Sequence, residues 1–252
     1  MPYATHQGVR IHYHVGGEGP PLVLLHGFNS NLANRYERGY VEPLQHDYRL
    51  ILIDARGHGA SDKPHDRAAY TWLIPVADVV AVLDHLHIPQ AHVLGYSMGG
   101  GVCFGLAKYA PTRTLSLLIG GMPAQDDSFA TFAEVEGTDP EVFFTAFEAK
   151  LGIQLPPEMK ARMVTNDLQA LAAAPQTRPS LEEILPQMTM PCLLFAGEAD
   201  PWNPLIQDYA RRMPKATLVS FPGLGHAAVT RRADLVLPQV MQFLRAVIAG
   251  TV

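Results

Sequence analysis

The pentapeptide Gly95-Tyr96-Ser97-Met98-Gly99 is the segment of this chain with the clearest chemical potential. It follows an apolar run and precedes a helical stretch, so Ser97 stands on a sharp strand-to-helix turn that exposes its hydroxyl. A serine so placed is a nucleophile for acyl transfer, provided a base, an acid to orient it and an oxyanion site are near. Gly223-Leu224-Gly225-His226 supplies the base. The flanking glycines give a loop that can swing the imidazole over the sheet edge. Gly197-Glu198-Ala199-Asp200 supplies the acid at the end of another apolar run. Glu198, Asp126 and Asp127 compete with it, and Asp200 is favoured. His26-Gly27-Phe28 follows the first apolar run and reaches the same rim. The N–H of Phe28 and that of Met98, at the start of the helix after Ser97, form the expected oxyanion site. His26 reads as a prop for that loop, and Asn29 as either a polar contact for substrate or a loop cap.

Placing these residues together requires strands buried on both faces. Leu22–Leu25, Arg49–Asp54, Ala91–Tyr96, Leu115–Ile119 and Cys192–Ala196 are continuous apolar runs without alternation, which predicts parallel strands. A hairpin of Tyr3–Gln7 and Arg10–Val15 precedes them, and Thr217–Phe221 is a weaker last strand. Helical patterns cover Thr71–Leu86 (with Thr71 as N-cap and Pro75 in its first turns), Met98–Tyr109, Pro204–Met213 and Asp234–Ala249. Alternating strands and helices predict an α/β fold with a mostly parallel, doubly wound sheet.

The rhythm breaks between Met122 and Met190. Asp139-Pro140-Glu141 reads as an N-cap, a proline at the first helical position and an acidic first turn; Gly152 ends that helix. Pro157–Ala174 and Ser180–Met188 read as two more helices. The expectation is a small helical cap over residues 122–190, inserted into a core made of residues 1–121 and 191–252. An apolar substrate pocket is expected from Trp202, Met122, Phe143 and Phe147, although the cap aromatics also suit plain packing of the cap.

Bulk properties exclude other classes. The 252 residues suit one domain with one insertion. A net charge of −5 without a basic cluster argues against nucleic acid or an anionic membrane as partner. Met1-Pro2-Tyr3-Ala4 opens no leader-like segment, and no apolar run approaches membrane-spanning length, so a cytoplasmic protein is expected. Cys103 and Cys192 read as reduced, buried thiols. His12-x-His14 reads as plain strand, because no third metal ligand lies at a recognisable spacing.

With these motifs in hand, the chain resembles the α/β-hydrolase superfamily over nearly its whole length. The order Ser97, Asp200, His226 fits that family, as does Asp54-Ala55-Arg56-Gly57-His58-Gly59 after the Arg49 strand. The resemblance implies that Ser97, Asp200 and His226 are the catalytic triad, and that the Phe28 and Met98 amides form the oxyanion hole. It implies that Asp54 and Arg56 are structural. It points to the capped branch of small serine esterases and haloperoxidase-like enzymes. The expected reaction is cleavage of a small, largely apolar ester through an acyl-enzyme, with no metal or organic cofactor. Lactonase, perhydrolase or carbon–carbon bond hydrolase activity on the same triad is the alternative, and a non-catalytic ligand receptor lies further off.

Overall fold

A computed structural model describes residues 2–124, 139–151, 154–155, 157–174 and 180–252. Eight strands form one sheet: β1 Tyr3–His6, β2 Val9–Gly16, β3 Pro21–Leu25, β4 Arg49–Ile53, β5 Ala91–Tyr96, β6 Thr114–Gly120, β7 Cys192–Gly197 and β8 Ala216–Phe221. Their order is β1-β2-β4-β3-β5-β6-β7-β8. β1–β2 and β2–β4 pair antiparallel, and every other pair is parallel. Each apolar run therefore buries both faces. Val23, Leu25, Ile51 and Ile53 point into one core, while Leu22, Leu24, Leu50 and Leu52 point into the other.

The connecting helices are α1 Ala33–Glu37, α2 Val41–Leu44, α3 Leu73–His85, α4 Met98–Tyr109, α5 Pro140–Leu151, α6 Pro157–Met163, α7 Leu168–Ala173, α8 Asn203–Arg212, α9 His226–Val229 and α10 Ala233–Ile248. Val76 and Val79 of α3, Phe104 of α4 and Ile206 of α8 cover one face of the sheet. Val41 and Leu44 of α2, with Val240 and Phe243 of α10, cover the other. Between β6 and β7, Phe143, Phe144, Leu155, Met163, Leu168 and Leu171 form a third, smaller cluster, with Phe28 from the core packed against it.

Local chemistry explains where the elements depart from the sequence reading. Thr71 is not the cap of α3. A 3-10 turn at Arg67–Tyr70, capped by Asp66 through the Ala68 N–H at 2.9 Å, leads straight in, and the helix begins at Leu73. Pro75 then falls in the first turn, where no intrahelical N–H bond is lost. The expected single helix over Pro157–Ala174 is two. Asp167 caps a fresh start by accepting the Ala170 N–H at 3.0 Å, which separates α6 from α7. Ser180–Met188 is instead a 3-10 turn over Glu182–Gln187, with Pro186 inside it. Asp139 does cap α5, accepting the Glu141 N–H at 2.9 Å, and the Gly152 stop lies outside the described residues. The short α1, α2 and α9 were not anticipated, since helices of four or five residues leave no periodicity to read.

Candidate active site

Ser97 lies between β5 and α4 with φ 55° and ψ −119°, a backbone conformation that L-residues avoid. Its N–H donates to Gly120 O at 2.8 Å, and its own C=O accepts the Gly101 N–H at 3.0 Å. The neighbouring glycines are required by contact. A side chain at Gly95 would strike the Gly99 carbonyl, and one at Gly99 would meet Leu25 Cβ at 2.8 Å. At Gly27 a Cβ would lie 3.4 Å from Ser97 Cβ, so the His26-Gly27-Phe28 loop runs against the serine. Met98 opens α4, and its N–H is one of the helix-start donors that have no acceptor within the helix.

Ser97, His226 and Asp200 come together in space. His226 Nδ1 donates to Asp200 Oδ2 at 2.8 Å, and the opposite ring nitrogen, Nε2, lies 3.0 Å from Ser97 Oγ. The carboxylate can only accept, so the proton sits on Nδ1 and Nε2 accepts from the serine hydroxyl. The Asp200 side chain is fully buried, and its Oδ1 takes the Trp202 N–H at 3.1 Å. Glu198 is exposed, and Asp126 and Asp127 lie outside the described residues. Tyr96, whose hydroxyl burial pushes well above its ordinary pKa, donates to His226 O at 2.6 Å. Its ring lies 5.2 Å from the imidazole, and Trp202 stands edge-on to the same imidazole at 5.0 Å. Nothing in the composition marked Tyr96 for this role, because its partner is 130 residues away.

The rim loops are held by buried polar residues. His26 Nδ1 donates to Gly27 O at 2.7 Å, and its Nε2 accepts the Ala55 N–H at 3.0 Å. Burial lowers its pKa and keeps it neutral, as suits a prop. Arg35 donates to Leu25 O at 2.6 Å beneath the same loop. Asp54 accepts from the Leu32 and Ala60 N–H groups and from His12 Nδ1, while Arg56 makes a two-point pair with Asp78 at 3.0 and 2.8 Å. Asn29 Oδ1 accepts from Asn166 Nδ2 at 2.7 Å.

Of the residues read as pocket, Trp202 borders the site. Met122 is buried against the first turn of α4, where a Cβ on Gly100 would meet it at 2.9 Å. Phe143 is 1% exposed and packs edge-on to Phe144 within the helical cluster. The Phe147 side chain lies outside the described residues. A cavity of about 50 Å³ lies beside Met98 and Gly99, walled by Leu25, Ile53, Val79 and Val102, with Ala174 also on its lining. Cys103 and Cys192 are buried free thiols, and burial raises both, Cys192 to about 12. Among the described residues, no group of three His, Cys, Asp or Glu side chains is arranged to hold a metal. Likewise, among these residues, no helix is long and apolar enough to cross a membrane.

Residues 22–239 match the alpha/beta hydrolase family. The chain belongs to that family. Relatives of this hydrolase carry varied activities. It is 33% identical, over 92% of its own length, to a Pseudomonas putida protein named as the dihydrolipoyllysine-residue acetyltransferase component of an acetoin cleaving system, of which it spans 66%. It is 29% identical to a Synechocystis putative non-heme chloroperoxidase, covering 97% of this chain and 100% of that one. A solved N-acyl homoserine lactone degrading enzyme superposes with a TM-score of 0.77 at 27% identity, over 96% of this hydrolase and 100% of the other. This hydrolase is an enzyme of the α/β-hydrolase type.

Proposed function

We propose that this hydrolase cleaves small, largely apolar carboxylic esters through a covalent acyl-enzyme on Ser97. The observation that carries the reading is the continuous relay Asp200–His226–Ser97, with bonds of 2.8 and 3.0 Å. His226 Nε2 takes the Ser97 proton as Oγ attacks the carbonyl carbon. Asp200 holds the imidazole in the required tautomer and stabilises the imidazolium that forms. The Phe28 and Met98 amides receive the oxyanion, each worth about 3 kcal/mol of barrier. His226 then protonates the leaving alkoxide, and water attacks the acyl-enzyme by the same steps.

On this reading the chain divides into a core of residues 1–121 and 191–252 and a cap insertion of residues 122–190, whose described helices α5, α6 and α7 restrict what reaches Ser97. The Trp202 ring at the imidazole supports a largely apolar substrate, as does the mostly apolar lining of the cavity beside Met98, where the Arg56–Asp78 pair is already mutually satisfied. A lactone is a cyclic ester that the same steps open, and the lactone-degrading structural relative supports including that class. The test is a panel of p-nitrophenyl acetate, butyrate and octanoate, simple lactones and a vinylogous diketone, run beside fluorophosphonate labelling mapped to its residue. Labelling should fall on Ser97, and Ser97→Ala should lose label and about 10⁶-fold in kcat on esters. Undiminished ester turnover by Ser97→Ala, or turnover of the diketone alone, refutes the reading.

A further inference from the structure

We infer that Asn166, on the turn between α6 and α7, is a positioning residue for this reaction: through Asn29 it holds the loop whose Phe28 amide receives the oxyanion. The inference rests on the reading of Ser97 and Phe28 given above. Asn29 follows Phe28 directly and adopts φ 54°, in the left-handed region. Asparagine visits that region more readily than most residues, yet still at a cost, so a sharp bend there needs a restraint. The restraint visible at its side chain comes from outside the core. Asn29 is 6% exposed, and its Oδ1 accepts the Asn166 Nδ2 hydrogen at 2.7 Å across 137 residues of sequence.

The turn that carries Asn166 is itself well fixed. The Asn166 N–H donates to Met163 O at 3.0 Å, closing the end of α6. The adjacent Asp167 caps α7 and pairs with His65 Nε2 at 2.9 Å. The Phe28 side chain packs against the cluster of Phe143, Phe144, Met163 and Leu168, and edge-on to His58 at 5.7 Å. Two consecutive residues of the oxyanion loop are therefore attached to the helices above them, one by packing and one by a hydrogen bond. The His65–Asp167 pair anchors the same turn to the loop after β4 without touching the oxyanion loop. That separation lets the two roles be told apart.

A displacement of about 1 Å in a positioning group can cost up to 100-fold in rate. Removing the Asn166 donor loosens the Phe28 amide without deleting it, so a smaller loss of about 10-fold is expected. The experiment measures kcat and KM on acetate and butyrate esters for Asn166→Ala, Asn29→Ala, the double variant and His65→Ala, with melting temperatures for each. It also measures inhibition by an aryl trifluoromethyl ketone, whose hemiketal oxygen on Ser97 mimics the oxyanion. Asn166→Ala should lower kcat about 10-fold on both esters, leave KM within about twofold, and weaken the ketone by the same factor as kcat. The double variant should be no slower than Asn29→Ala alone, and His65→Ala should keep full kcat. Asn166→Ser, too short to reach Asn29 but well suited to a turn, should repeat the kcat loss of Asn166→Ala at an unchanged melting temperature, and full kcat in Asn166→Ser overturns the inference. Unchanged kcat, a change confined to KM, additive losses in the double variant, or an equal kcat loss in His65→Ala each overturn the inference. Retained activity in Ser97→Ala overturns the reading of the site itself, whereas an inert Ser97→Ala beside a fully active Asn166→Ala overturns this inference alone.

Discussion

Ser97 occupies a backbone conformation that costs about 1–3 kcal/mol. The Gly120 and Gly101 bonds hold it there, and the result is a hydroxyl projecting from the sheet rim toward His226. Asp200 does the complementary work from a buried position. Replacing it with asparagine keeps the volume but removes the acceptor that fixes the Nδ1–H tautomer. Asp200→Asn should retain a native melting curve and lose about 10⁴-fold in kcat, measured on p-nitrophenyl acetate. Near-normal turnover in that variant would remove Asp200 from the reading. That Ser97, Asp200 and His226 meet was legible in the sequence because each sits in a short glycine-containing segment that follows an apolar run. The bonds of Asn166 and Tyr96 were not, because their partners lie more than a hundred residues away.

At the scale of elements, the close approach of β5 to α4 is what sets Ser97 in place. Gly95 has no room for a methyl group: beyond the Gly99 carbonyl, Cys103 Sγ would lie 2.8 Å from it. Gly95→Ala should lower stability by about 3 kcal/mol, read as a shift in the urea midpoint without a change in slope. A midpoint within error of the native protein would mean that the elbow has slack. The strand readings agree with the structure to within a residue or two because a parallel strand buried on both faces is a continuous apolar run, bounded by loop residues. The helices between β6 and β7 were less legible. Apolar spacing continues through Asn166-Asp167, and only the capping bond at Asp167 reveals the break.

For the molecule as a whole, the buried histidines tie stability to pH. Burial lowers His58 to about 3 and His92 to about 4, and lowers His26 as well. Unfolded, each titrates near 6.5. Above that value neither state binds the proton, and stability is full. As pH falls below it, the unfolded chain gains protons that the folded chain refuses, and stability is lost until the folded values are reached. At pH 5 the loss is about 2 kcal/mol each for His58 and His92. His92 bonds Ser116 Oγ at 2.8 Å inside the sheet. His92→Gln should flatten the fall in the urea midpoint between neutral and mildly acid buffer, and an unchanged slope of stability against pH would exclude His92 as a contributor.

The order of the strands also sets a schedule for synthesis. Ser97 leaves the ribosome 129 residues ahead of the imidazole it meets. At ordinary elongation rates that gap lasts roughly 6–25 s. Until Cys192 emerges, β6 has neither β7 nor β8 beyond it and the nascent chain carries Ser97 without Asp200 or His226; Asp200 then follows, and the imidazole comes last. On the proposed reading a partly made copy is therefore chemically silent, and hydrolase activity should switch on only after β8 and the His226 loop have docked against the finished sheet.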